Sequence, residues 1–141
     1  MSEREVSERG TLVDSNVLLD LFSRDPRWAD WSGTQLAGAL NDGPVVINQV
    51  VYAEVSLGFS SIEALDAVLS RDRFVRASLP WPAAFLAARA YRSYRAHGGT
   101  RTSPLPDFFI GAHAAVLGLR LLTRDAARYR TYFPTVQLIA P

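Results

Sequence analysis

Short apolar runs rich in β-branched residues alternate along the chain with longer segments of helical character. This alternation restricts the fold more than any other feature. Thr11 to Val13, Val45-Val46-Ile47, Phe74 to Leu79, Arg120 to Thr123 and Val136 to Ile139 read as strands. Helices fill the intervals. Ser15 and Asn16 are helix-starting residues ahead of Val17 to Phe22, and Arg27 to Leu40 forms a second helix before the turn Asn41-Asp42-Gly43-Pro44. Asn48 can cap a helix running to about Gly58, and Ser60-Ser61-Ile62-Glu63 fits a capping box before a helix through Leu69. Pro82 suits the first turn of a long helix that ends at Gly98-Gly99. A turn-rich loop, Thr100 to Pro106, precedes a small-residue helix from Asp107 to Leu117, and residues 126–132 form a last short helix.

The resulting order, βααβααβααβαβ, requires a parallel sheet covered on both faces. The expected fold is α/β, a three-layer α/β/α sandwich around a short parallel sheet of about five strands. With 141 residues, the chain is long enough to close one hydrophobic core. We expect a single domain over residues 11–141, preceded by a polar N-terminal extension over residues 1–10. That extension has no apolar run of the kind found in a signal peptide, and no later stretch is apolar enough to span a bilayer. No membrane partner is expected, and a cytoplasmic location follows by default.

Composition removes several chemistries. The chain has no cysteine, which excludes a thiol nucleophile, a disulfide scaffold and Cys-ligated metal. All 15 basic residues are arginine. Without lysine there is no P-loop and no Schiff-base enzyme, and receiver-type phosphorylation domains are disfavoured. Charge is uneven: residues 1–70 carry a net −7, residues 71–101 a net +6 and residues 102–141 a net +2. A basic segment beside an acidic one could guide a polyanion to a local acidic site, or it could be a solvated arginine face.

Open parallel sheets bind ligands beyond the carboxyl ends of their strands. Asp14 ends the first strand, and Asp125 follows the strand that includes Leu121-Leu122-Thr123. Glu54 lies in the helix leaving the second strand, and Asp107 opens the helix feeding the fourth. Glu54 has no oppositely charged neighbour at i±3 or i±4. Asp107 suits a first helical turn through the helix dipole alone, and Asp14, Thr123 or Asp125 could be simple caps. Taken together the acids mean more. Clustered carboxylates repel, and a hard divalent cation with oxygen ligands resolves the repulsion. Such a cation activates water and stabilises phosphoryl oxygens, which is the chemistry of phosphodiester hydrolysis.

Thr-Leu-Val-Asp14-Ser-Asn16-Val-Leu-Leu-Asp resembles the opening motif of the PIN-domain nucleases. Gln-Val-Val-Tyr-Ala-Glu54-Val, Leu-Pro-Asp107-Phe-Phe-Ile-Gly-Ala-His-Ala and Leu-Leu-Thr123-Arg-Asp125 resemble the three later motifs, in order and on the expected elements. The single-domain length makes the chain most similar to VapC-type toxins of type II toxin–antitoxin pairs. The resemblance implies a PIN-like fold and a Mg2+- or Mn2+-dependent endoribonuclease. Asp14, Glu54, Asp107 and Asp125 would be its metal-coordinating catalytic residues, and Asn16 and Thr123 its supporting polar residues. It also implies a cognate antitoxin, an RNA substrate and a homodimer.

Arg89, Arg92 and Arg95 on the long helix, with Arg101 on the following loop, are candidates for RNA phosphate contact, or simply for surface solubility. Trp28, Trp31 and Phe59 could line an apolar groove for the antitoxin, though core packing is the commoner fate of aromatics. His113, set among alanines, reads as a packed core histidine. Two other functions remain open. A haloacid-dehalogenase-type phosphatase also places Asp after the first strand but wants a second Asp where this chain has Asn16. A catalytically silent PIN-fold binding module would act only through its protein partner.

Overall fold

The computed structural model describes residues 10–99 and 105–141. Five parallel strands form one sheet: β1 (Thr11–Val13), β2 (Val45–Ile47), β3 (Phe74–Arg76), β4 (Arg120–Leu122) and β5 (Leu138–Ile139), in the order β3-β2-β1-β4-β5. Seven helices of the described residues cover it: α1 (Ser15–Phe22), α2 (Ala29–Asp42), α3 (Gln49–Ser56), α4 (Ile62–Val68), α5 (Trp81–Ala96), α6 (Leu105–Leu117) and α7 (Ala127–Tyr132). This is the expected three-layer α/β/α sandwich. β1 is central, with Leu12 aligned to Val46 on one side and Leu121 on the other. The chain steps outward from β1 through β2 to β3, then returns to lay β4 against the free side of β1. The order therefore reverses between β1 and β4, where open sheets of this kind leave a crevice at the carboxyl edge.

Burial explains why apolar residues dominate the central strands. Leu12, Val13, Val45, Val46, Leu121 and Leu122 are 0% exposed, because helices cover both faces. Local chemistry sets the element boundaries. Asn48 Oδ1 accepts from Val51 N at 2.9 Å and starts α3. Ser61, not Ser60, caps α4 by accepting from Ala64 N at 3.1 Å, so Glu63 falls one position short of the reciprocal capping box. Asp25 Oδ1 accepts from the amides of Arg27 and Trp28, which holds those residues in a turn and delays α2 to Ala29. Gly118 lies just beyond α6 with φ 66°, a conformation that strains any side chain.

Three further boundaries differ from the sequence expectation. β3 stops at Arg76 rather than Leu79. Ala77 N makes a last ladder bond to Ile47 O at 2.9 Å, after which Gln49 Oε1 takes Leu79 N and Pro80 caps α5. β5 begins at Leu138 because Val136 is folded into a turn by its bond to Phe133 O. α6 includes Leu105 and Pro106, which the sequence assigned to a loop; residues 100–104 lie outside the described residues.

His113 is fully buried on α6, as a core histidine should be. Its Nδ1 accepts from Asn48 Nδ2 at 3.0 Å, which ties α6 to the cap of α3. Its Nε2 is buried with no partner among the described residues. Burial lowers its pKa to about 4, so the ring is neutral at physiological pH. The unfolded chain takes up this proton near pH 6.5, whereas the folded chain resists until about pH 4. The stability His113 contributes is therefore complete above pH 6.5 and lost as pH falls through that window. Compared with His113→Leu, the native chain should lose about 1.4 kcal/mol per pH unit between those limits. Urea unfolding at a series of pH values measures this difference. A constant difference would mean that the histidine titrates normally.

Candidate active site

Asp14 occupies the N-cap position of α1, yet its side chain makes no capping bond. The carboxylate turns into the β1–β4 crevice instead. Its Oδ2 accepts from Thr123 Oγ1 and from Tyr129 Oη, both at 2.9 Å. Asn16 Nδ2 approaches the same oxygen at 3.5 Å, and Ser15 Oγ approaches Oδ1 at 3.4 Å. Asp14 is only 3% exposed. Burial raises its pKa, while the hydroxyl and backbone donors pull it back down. Tyr129 is held protonated, and thus a donor, by burial and by the charges of Asp14 and Asp107.

Thr123, just past β4, organises this centre. Its Oγ1 donates to Asp14 and accepts from Asp125 N at 3.1 Å and from Asn16 Nδ2 at 3.4 Å. Asn16 Oδ1 also accepts from Arg124 N at 3.4 Å. The two polar residues singled out in the sequence thus clasp the ends of β1 and β4 together.

Glu54 reaches the same edge from α3. It is half-buried, and its Oε1 accepts from Ser15 Oγ at 3.0 Å. Desolvation raises its pKa, the Ser15 bond opposes that, and the charge of Asp14 adds to the rise. Asp107 enters from the first turn of α6. Arg128 Nη1 donates to its Oδ2 at 2.5 Å. Even so, Asp107 is raised to about pKa 7, first by desolvation and then by the charge of Asp14, with Glu54 and Asp125 adding smaller repulsions. Asp125 is the outlying member, exposed on the rim but close enough for its charge to reach Asp107. All four acids therefore face the carboxyl edge of the sheet.

A second layer of bonds fixes the rim. Arg124 Nε bonds both oxygens of the buried Asp20, at 3.1 and 2.9 Å, and Ser32 Oγ donates to Asp20 at 2.8 Å. The Arg124 guanidinium also lies over Trp28, 5.6 Å from the ring centroid. These contacts place α1, α2 and the β4–α7 connection in one frame. Ser15, Asp20, Arg124, Arg128 and Tyr129 were not singled out as site residues in the sequence. Their partners lie 12 to 115 residues away, and no local spacing announces them.

Among the described residues, Arg89, Arg92 and Arg95 make no ion pair with these acids. Arg89, Arg92 and Arg95 are exposed on α5, and Arg101 lies outside the described residues. Arg89 stacks on Phe85 at 4.8 Å and Arg95 on Tyr91 at 6.0 Å. Trp31 and Phe59 pack against the core, with Phe59 edge-on to Phe22 at 5.7 Å. Trp28 lies edge-on to Trp31 at 6.1 Å, under Arg27 and Arg124.

Among the described residues, no three acidic or histidine side chains close around one point tightly enough to cage an ion as they stand. The donor chemistry nevertheless suits a hard cation. The four acids, Thr123, Tyr129 and Ser15 all offer oxygen, and Asp107 is left with repulsion that Arg128 does not cancel.

The comparisons agree with this geometry. The PIN domain family matches residues 11–134, a span that holds all four acids. No curated protein matches the chain. Among solved structures, the fold is similar to VapBC2 from Rickettsia felis bound to a promoter DNA fragment, with TM-score 0.72 and 16% identity over 93% of this chain and 98% of that one. VapBC-1 from nontypeable Haemophilus influenzae gives 0.67 and 18% identity over 92% and 96% of the two chains. A toxin–antitoxin complex from Klebsiella pneumoniae gives 0.62 and 25% identity over 89% and 94%. With the family matched over residues 11–134 and an acid-lined crevice at the β1–β4 switch, this protein belongs to the PIN domain family.

Proposed function

We propose that this chain is the toxin of a type II toxin–antitoxin pair, acting as a Mg2+- or Mn2+-dependent endoribonuclease. The observation that carries this reading is the convergence of Asp14, Glu54 and Asp107 on one crevice, where desolvation first, and then the charge of Asp14, raise Asp107 to about pKa 7. Structural neighbours that are toxin–antitoxin complexes support the partner part of it. Among the described residues no helix is long and apolar enough to cross a membrane; we infer a cytoplasmic site of action.

Asp14, Glu54, Asp107 and Asp125 would hold the cation, directly or through water. When bound, the cation supplies positive charge at the reacting phosphate and lowers the pKa of an attacking water. The chain's own residues do the rest. Thr123 and Tyr129 orient Asp14 by donating to one of its oxygens. Ser15 links Asp14 to Glu54. Asn16 and Thr123 keep the β1 and β4 ends in register at the crevice. Arg89, Arg92, Arg95 and Arg101 would contact RNA phosphates, which gives affinity with little sequence choice.

We propose that a homodimer would form through the surface beside the edge strand β3. A cavity of about 350 Å3 opens there between Ile47, Tyr52, Ile62 and Ala77. On the same edge Trp81 is 89% exposed and Phe85 63% exposed. A hole and a knob on one face are self-complementary about a two-fold axis. Trp81→Ser should therefore lower the light-scattering mass from two chains to one. A variant that stays dimeric would place the interface elsewhere.

Incubation of the purified chain with RNA, with Mg2+ or Mn2+ and with chelator, tests the activity. Cleavage should need the cation and fall by at least about a hundredfold in Asp14→Asn and Asp107→Asn. Absence of cleavage by folded, partner-free protein on every RNA class would favour the catalytically silent binding module.

Metal-free stability gives an independent check. Asp107 ionises near pH 3.8 when unfolded and near pH 7 when folded. Its contribution is complete below pH 3.8 and lost as pH rises to about 7, because the folded state must then accept an unwelcome charge. Relative to the native chain, Asp107→Asn should gain about 2 to 4 kcal/mol between pH 4 and pH 8 without cation. Added Mn2+ should stabilise the native chain and shrink that gain. A flat difference in unfolding midpoints would show that Asp107 carries no strain.

A further inference from the structure

Arg128 is the one cation, among the described residues, in ion-pair contact with any of the four acids. Asp14 and Glu54 take their bonds from hydroxyls and an amide instead. The guanidinium of Arg128 sits on Asp107 at 2.5 Å through Nη1, and its Cζ lies over the rings of Tyr94, at 5.5 Å from the centroid, and Phe108, at 5.9 Å. Its position is set from three elements: α7 carries it, α6 supplies Asp107 and Phe108, and α5 supplies Tyr94. The side chain is 26% exposed, so it has a short path to solvent.

We propose that Arg128 is a built-in counter-ion that competes with the divalent cation for Asp107, so that loading the acidic centre displaces its guanidinium. The inference rests on reading the acidic centre as a cation site. Two positive species cannot share Asp107 without repelling each other, and the guanidinium already occupies Oδ2. Release need not carry the arginine far. The two aromatic faces hold it beside the centre through cation–π attraction and stacking, which a planar guanidinium sustains and an ammonium does so less well. The contact thus offsets part of the negative charge of the crevice in the unloaded protein and sets a threshold for cation binding.

Titration of the full, metal-free chain with Mn2+, followed by the electron paramagnetic resonance of the free ion, tests the competition. Arg128→Gln should bind Mn2+ on the order of tenfold more tightly than the native chain, the effect of removing one competing charge. Arg128→Lys, which keeps the charge, should return the affinity most of the way to native. In an Asp107→Asn background the Arg128→Gln substitution should no longer change the affinity, because the shared partner is gone. Circular dichroism of each variant confirms that it is folded. Equal or weaker binding by folded Arg128→Gln would overturn the role of Arg128 while leaving the cation site intact. No Mn2+ binding by either protein would overturn the cation site and this inference together.

Discussion

Asp14 must keep a carboxylate at the end of a fully buried strand, 3% exposed and, among the described residues, without an arginine partner. An isolated buried charge would cost many kcal/mol, so its surroundings are constrained to donate hydrogen bonds. The donors come from widely separated segments: Ser15 and Asn16 from α1, Thr123 from the end of β4, Tyr129 from α7. Packing those segments around one carboxylate is what draws α7 down onto the crevice. Tyr129 is 1% exposed and among the largest buried side chains, so its ring fills core while its hydroxyl serves the site. Core and site are not separable here; the same residue closes both.

The topology explains why this place, and no other edge, gathers acids. β1 and β4 are adjacent in the sheet but far apart in sequence, and their following segments diverge to opposite sides. The crevice between them is open to solvent at the carboxyl edge and lined by chain ends rather than by continuous helix. Glu54 and Asp107 reach it because α3 leaves β2 from the same edge and α6 feeds β4 with its first turn toward that edge. Desolvation and the clustered negative charge together raise Asp107, and among the described residues one arginine offsets them. A site fully neutralised from within would have little use for a cation.

Much of this was legible in the sequence because it depends on local chemistry. The βααβααβααβαβ order, the three layers and the placement of Asp14, Glu54, Asp107 and Asp125 on the elements that carry them follow from periodicity and from acids at strand and helix ends. The strand order does not, since nothing in residues 120–122 states that they pair with β1 rather than β3. The supporting network was hidden for the same reason. Arg128 and Tyr129 look like ordinary residues of a short helix, and Asp20 looks like the polar face of α1. Each acquires its role through a partner brought near only by the fold. Turn chemistry accounts for the misjudged ends: Asp25 holds Arg27 and Trp28 outside α2, and Gln49 takes the Leu79 amide that would otherwise extend β3.

The absence of lysine shapes the surface as much as the site. Arginine's planar head stacks on aromatic faces, and this protein uses that property repeatedly: Arg27 and Arg124 on Trp28, Arg76 on Tyr52, Arg89 on Phe85, Arg95 on Tyr91, Arg128 on Tyr94 and Phe108. The positive charge of residues 71–101 is therefore held in part at fixed positions along β3 and α5 rather than dispersed on mobile side chains. Fixed charge loses less side-chain entropy when it meets a polyanion. The same stacking restrains Arg124 and Arg128 at the crevice, where one locks the Asp20 frame and the other faces Asp107. A single compositional choice thus links the basic surface to the acidic centre, because in both places a guanidinium is positioned by an aromatic ring before any ligand arrives.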